Sequence, residues 1–338
     1  MKTPVFVFEP EKLKENYEEF ESLCKRYLKK YKIAYSVKTN SEKGVLSILA
    51  EKNCGFEIAS LNELEKIKKS EFVVFNSPAK TKEELEKAIK FKFLVNIDSK
   101  SEIDKIAEII KDEKIELGLR VSLKEGKFGI EDGKIKEIIE YAKKKNIEIC
   151  CLHFHQGTQI SFKEYEEGIK KIAKILEKLK INLKYIDVGG GFPDKEQLKN
   201  LGIKLENYFS VIAEHIGNKA TIILEPGRCL VSDAFCLLTK VIAIKENFGK
   251  KYVILDAGIN LLPKITLASY KFSKFAGENE DEKSEYMLAG PLLFGNDILG
   301  RYYGKLKEKD IIKVENVGAY CLNLAWKISY KIPKVLIR

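Results

Sequence analysis

Four stretches of this chain carry residue types whose spacing suits one kind of chemistry. Lys38 closes Ala34-Tyr35-Ser36-Val37-Lys38-Thr39-Asn40, at the end of an apolar run. An ε-amine held at a strand tip can attack a carbonyl and form a Schiff base. His155 stands in His153-Phe154-His155-Gln156-Gly157-Thr158, so two of the chain's three histidines fall in one run. Gly189-Gly190-Gly191 follows Asp187-Val188, and three bare N–H groups suit an anion-binding nest. Glu225-Pro226-Gly227-Arg228 ends another apolar run. A carboxylate there is costly unless paired, and Arg228 suits a bidentate phosphate contact. Together these are an amine, a phosphate nest, a flat imidazole for stacking and an acid for a protonated pyridine nitrogen. Pyridoxal 5'-phosphate requires that set. His153 points the same way as His155 by alternation, and His215 lies in a helix-like, structural setting.

The elements that must position these groups are regular. Short apolar runs recur at Ile33–Lys38, Phe56–Ser60, Phe72–Asn76, Phe93–Ile97, Glu116–Val121, Glu148–His155, Leu183–Val188 and Thr221–Glu225. They have the length and Val/Ile/Phe content of buried parallel strands. Amphipathic stretches separate them, and Ser60-x-x-Glu63, Thr81-x-x-Glu84 and Ser161-x-x-Glu164 read as capping boxes. Eight such units predict an α/β chain folded as a (β/α)8 TIM barrel. The alternative, a doubly wound open sheet, lacks its Gly-rich turn after the first strand. Lys38, His155, the glycines and Glu225 then share the C-terminal mouth, where barrels carry their active sites. After Cys229 the runs Leu237–Lys245, Lys251–Leu255, Tyr286–Ala289 and Ile311–Glu315 follow without long helices. The expected division is a barrel over 9–229 and a C-terminal β-domain over 230–338, joined by the opening strand in 1–8.

Composition narrows the partners. The net charge of +10 arises from 60 basic and 50 acidic residues that interleave. That pattern describes solvated helix faces and argues against a nucleic-acid partner. Seven cysteines without a CxxC pair argue against a disulfide framework or a metal site and fit a reducing cytoplasm. No leader-like or membrane-spanning apolar stretch occurs, so neither export nor a membrane partner is expected.

In this order and spacing the motifs resemble the fold-type III pyridoxal-phosphate-dependent decarboxylases of ornithine, diaminopimelate and arginine. The layout is nearest to diaminopimelate decarboxylase-like proteins. Thr3-Pro4-Val5-Phe6-Val7-Phe8, Phe56-Glu57-Ile58-Ala59-Ser60 and Gly318-Ala319-Tyr320 join the four stretches above in carrying the resemblance. It implies cofactor attachment at Lys38, ring stacking by His155 and pyridine-nitrogen pairing by Glu225. It also implies phosphate binding by Gly190, Gly191, Gly227, Arg228 and Tyr320. Thr158 stands where serine is usual, and Glu57 where aspartate is usual. A head-to-tail homodimer with shared active sites is implied as well.

One motif departs. The family's Gly-Pro-x-Cys-(Asp/Glu) segment reads Gly290-Pro291-Leu292-Leu293-Phe294-Gly295-Asn296-Asp297 here. Leu293 replaces the cysteine thought to reprotonate the substrate carbon, and Phe294 replaces the acid that helps read the substrate's distal end. Lys264 falls where diaminopimelate decarboxylases carry an arginine. Lys264, Leu293, Phe294 and Asp297 are therefore the expected substrate-side positions. The leading expectation is a decarboxylase of a free or carrier-linked amino acid. The alternatives are a racemase or other pyridoxal-phosphate enzyme on the same fold, and a non-catalytic regulatory homologue.

Overall fold

The computed structural model describes residues 2–338 except 68–69, 159, 218, 266–267 and 277–283. Contacts divide the chain into two units, one of residues 17–193 and 198–229, the other of 1–16, 194–197 and 230–338.

In the second unit, β1 (Val5–Phe8) is the opening strand. The first unit is a closed parallel barrel, as expected. Its strands are β2 (Tyr31–Ser36), β3 (Gly55–Ile58), β4 (Val73–Asn76), β5 (Leu94–Ile97), β6 (Ile115–Ser122), β8 (Ile147–Phe154), β9 (Tyr185–Asp187) and β10 (Thr221–Leu224). A two-residue strand β7 (Ile130–Glu131) pairs with β6 outside the ring. Pairing of β5 with β6, and of β10 with β2, closes the ring. Most strand residues are apolar, and Tyr35, Phe56, Phe75 and Phe154 are fully buried. Strands covered on both faces have this composition.

Local signals start the helices as anticipated. Ser161 accepts from the Glu164 N–H at 3.2 Å, and the Glu164 carboxylate returns to the Ser161 N–H at 2.8 Å. This capping box opens the helix Phe162–Leu179, whose Tyr165, Ile169 and Ile172 recur on one buried face. Thr81 and Glu84 do the same for Lys82–Lys90. Ser60 caps only a single turn, Leu61–Leu64.

The strands stop earlier than the apolar runs. β2 ends at Ser36, β8 at Phe154 and β10 at Leu224. Lys38, His155 and Glu225 therefore stand one or two residues past the ladder, where the chain turns. The Thr39 N–H donates back to the Ser36 carbonyl at 3.0 Å, which bends the backbone around Lys38.

The other unit is a mixed sheet of β1, β11 (Phe235–Asn247), β12 (Lys250–Leu255), β13 (Lys271–Lys274), β14 (Ser284–Ala289), β15 (Ile298–Gly304), β16 (Ile311–Glu315) and β17 (Val335–Ile337). β1 runs antiparallel to β11 and parallel to β17. The apolar pattern does not announce β13, β15 or β17. β13 is a short, lysine-flanked edge strand, and β15 is interrupted by Gly300 at φ +147°. Among the described residues, no helix is long and apolar enough to cross a membrane.

Candidate active site

Glu57, from β3, is 1% exposed and takes the Lys38 Nζ as its ion-pair partner. The Ser36 hydroxyl donates to Glu57 Oε2 at 2.7 Å. On the next strand, Asn76 Nδ2 donates to Glu225 Oε1 at 2.6 Å and lies 3.3 Å from Glu57 Oε1. Asn76 is itself oriented by Asn96 of β5, whose Nδ2 donates to Asn76 Oδ1 at 2.8 Å. His153 Nε2 stands 3.7 Å from Glu225 Oε2. A polar chain thus runs Lys38–Glu57–Asn76–Glu225–His153 across the apolar barrel.

The electrostatics follow from burial and neighbours. Burial raises the Glu225 carboxyl, but His153 and then Lys38 outweigh it and hold the group down at about 2. Glu225 is therefore ionised at neutral pH. Burial, then the Lys38 charge, lowers His155 to about 3, so its imidazole is neutral. The Gly190 N–H donates to His155 Nδ1 at 3.2 Å, which leaves the ring proton on Nε2.

The glycine run is tightly built. Gly189 and Gly191 have φ of +65° and +95°, where only glycine is comfortable. A Cβ on Gly190 would lie 2.6 Å from the Glu225 carbonyl, and one on Gly227 would lie 2.2 Å from Thr39 Oγ1. The loop after β10 is therefore pressed against the loop that carries Lys38. Arg228, 5% exposed, opens the short helix Arg228–Val231 beside it. These features suit a phosphate-bearing ring: a bare-backbone cradle, a buried arginine, an ionised acid, a neutral imidazole and an amine. Thr158 is exposed in the loop after β8. A cavity of about 300 Å³ adjoins His155 and is lined by Arg120, Ser122, Lys124, Phe128 and Gln156 among others. The Arg120 guanidinium lies 4.3 Å from the Phe128 ring centroid.

His153, Asp187 and Glu225 have ligand atoms within 4.8 Å of one another, the spacing of a metal set. A ring nitrogen paired with Glu225, as the family resemblance implies, would compete for the same carboxylate. Sequence reasoning missed Asn76, Asn96 and the partnership of Asp187. Asn76 carried a usable signal, since it closes an apolar run with a polar side chain, as Glu225 does.

In the other unit, Leu293 is 100% and Phe294 43% exposed, while Asp297 is buried. The Asp297 carboxylate accepts from the Ile259 N–H at 2.7 Å and the Leu292 N–H at 2.8 Å. It therefore pins the two loops. Lys264 is half-buried after β12. Tyr320 adopts a φ of +62°. Cys321 is fully buried, with its sulfur 3.0 Å from Tyr270 Oη.

Residues 12–232 match the family described as pyridoxal-dependent decarboxylase, pyridoxal binding domain. A diaminopimelate decarboxylase of Helicobacter pylori is 30% identical over an alignment that spans 99% of this chain and 89% of its own. That of Aquifex aeolicus is 28% identical over 94% of this chain and 82% of its own. The crystal structure of the Helicobacter pylori enzyme complexed with L-lysine superposes with a TM-score of 0.88 at 29% identity, covering 100% of this chain and 92% of that one.

Proposed function

The chain belongs to the pyridoxal-dependent decarboxylases, and from that premise we propose that it removes the α-carboxylate of a diamino acid, free or carrier-linked. The observation that carries this reading is the Lys38–Glu57–Asn76–Glu225 chain at the barrel mouth. Diaminopimelate is the first candidate, because relatives that align with nearly the whole chain bear that name.

Pyridoxal phosphate, when bound, supplies the sink for the electron pair left as carbon dioxide departs. Lys38 would hold it covalently through Nζ, and Glu57 orients that amine. Gly190, Gly191, Gly227 and Arg228 would hold the phosphate. The Glu225 carboxylate, already ionised, would face the ring nitrogen and keep a proton on it. Neutral His155 would present a flat, uncharged face for stacking. Lys38 Nζ, in the turn after β2, is the group we assign to return a proton to the substrate carbon.

A racemase is the second reading. It is kept because the Cys-acid pair usual in the decarboxylases is replaced here by Leu293-Phe294. We also infer a homodimer, in which a second copy covers the exposed Leu293 and Phe294. Its location in this reading is the cytoplasm, supported by seven buried cysteines that form no disulfide.

A panel of diaminopimelate, lysine, ornithine and arginine, with carbon dioxide capture and chiral product analysis, tests the proposal. Gas release from one of them supports the decarboxylase. Loss of chirality without gas selects the racemase.

A further inference from the structure

Three adjacent strands deliver three titratable groups to one point below the candidate ring site. β8 brings His153, β9 brings Asp187, and Glu225 follows β10. His153 and Asp187 are register partners. All three are buried, Asp187 completely. Asp187 Oδ1 accepts from the Gly189 N–H at 2.9 Å, while Oδ2 is buried without a hydrogen-bond partner.

Two buried carboxylates this close cannot both be charged unless a cation sits between them. The groups facing Asp187 are Glu225, Glu57 and the Cys151 thiol, with His153 beside it. Among them only His153 can carry a positive charge, and its Nε2 stands 3.7 Å from Glu225 Oε2, where it favours that acid. Glu225 has the favourable side, because His153 and Lys38 both act on it. Burial, then the Glu225 charge, pushes the Asp187 carboxyl well above the usual carboxylate range.

We propose that Asp187 is a positioning residue that stays protonated at neutral pH and donates its O–H to Glu225, so that the pair carries a single negative charge. Asn76 then donates to one Glu225 oxygen and Asp187 engages the carboxylate from the side of β9. The carboxylate is fixed in orientation, and one charge matches one protonated ring nitrogen. That consequence rests on the cofactor reading above. The protonation itself does not.

The test is infrared spectroscopy of the full-length protein with carboxyl-13C aspartate, with and without pyridoxal phosphate. At neutral pH we expect a carboxylic-acid carbonyl band that shifts with the label, shifts in D2O and is absent from Asp187→Asn. Asp187→Asn, which retains a neutral donor, should keep the 15N shift of bound 15N-labelled cofactor at its protonated position. Asp187→Ala should move it. Absence of an aspartic-acid band from the labelled wild type overturns the proposal without needing any variant to fold. So does one equivalent of a divalent metal bound by the purified protein and lost in Asp187→Asn. If the band is present but no cofactor binds, the proton assignment stands and the cofactor reading fails.

Discussion

The Asn76 amide bridges to Glu225 at 2.6 Å, joining β4 to the residue that follows β10 on another wall of the barrel. Its Nδ2 carries two protons, and the second points toward Glu57, 3.3 Å away. One neutral side chain thus separates two buried carboxylates and serves both. Glu225 and Glu57, the acid that pairs with Lys38, are held by the same group.

Asn76→Ala removes a donor from each of two buried anions. Charge-assisted hydrogen bonds of this kind contribute about 1.5–3 kcal/mol apiece. We expect a loss of about 2–4 kcal/mol in urea unfolding, and weaker binding of pyridoxal phosphate. Asn76→Asp, which inserts a third carboxylate, should be worse than alanine in both measurements. Equal or better behaviour of the aspartate variant would show that the two acids are not charged neighbours.

His155 makes stability depend on pH in a defined direction. In the folded protein it is lowered to about 3 by burial and by Lys38, whereas an unfolded histidine titrates near 6.5. Between these values the unfolded chain binds the extra proton. The contribution is complete above pH 6.5 and is lost as pH falls toward 3, by up to about 1.4 kcal/mol per pH unit. Denaturation midpoints at pH 6.5, 5.5 and 4.5 should fall more steeply for wild type than for His155→Gln. Parallel curves would mean that the imidazole is already protonated when folded.

Lys80 and Glu102 form an ion pair at 2.7 Å with side chains 0% and 6% exposed. Burial lowers the lysine and raises the acid, and each offsets this for the other. Glu102→Ala removes the ion-pair acid from the buried Lys80 ammonium, leaving it the Ser77 and Asn96 carbonyls and the charge of Asp98, and should cost about 3 kcal/mol. The double change Lys80→Met with Glu102→Leu should cost less than Glu102→Ala alone. An additive double variant would show that the two charges do not depend on each other.

Leu293 is fully exposed, so Leu293→Cys should shift stability by less than about 0.5 kcal/mol. Any change in turnover then reports chemistry. A missing general acid would be worth on the order of 10²-fold. Because Lys38 is assigned the proton return, we expect only a small change, about threefold or less, measured as carbon dioxide released per second. An acceleration approaching the general-acid value would transfer that role to position 293.

Much of the barrel could be read from its apolar runs, because a strand buried on both faces has little freedom in composition. Lys38, His155, Glu225 and the glycines were legible because each breaks such a run with a group that apolar surroundings penalise. Asn76 breaks its run in the same way and was overlooked, since an amide names no reaction. The link from Asp187 to Glu225 was out of reach, because residues nearly forty positions apart meet only when β9 and β10 pair. In the other unit, β13 and β15 lack clean alternation, and Asp297 gave no hint that backbone N–H groups would occupy its carboxylate.

The central claim is that Lys38 holds the cofactor. Incubation of the purified protein with pyridoxal phosphate, reduction with borohydride and peptide mass mapping test it directly. The account predicts one reduced pyridoxyl-phosphate adduct per chain, on Lys38, absent from Lys38→Ala. A colourless protein with no adduct, or stoichiometric labelling at another lysine that persists in Lys38→Ala, would contradict it.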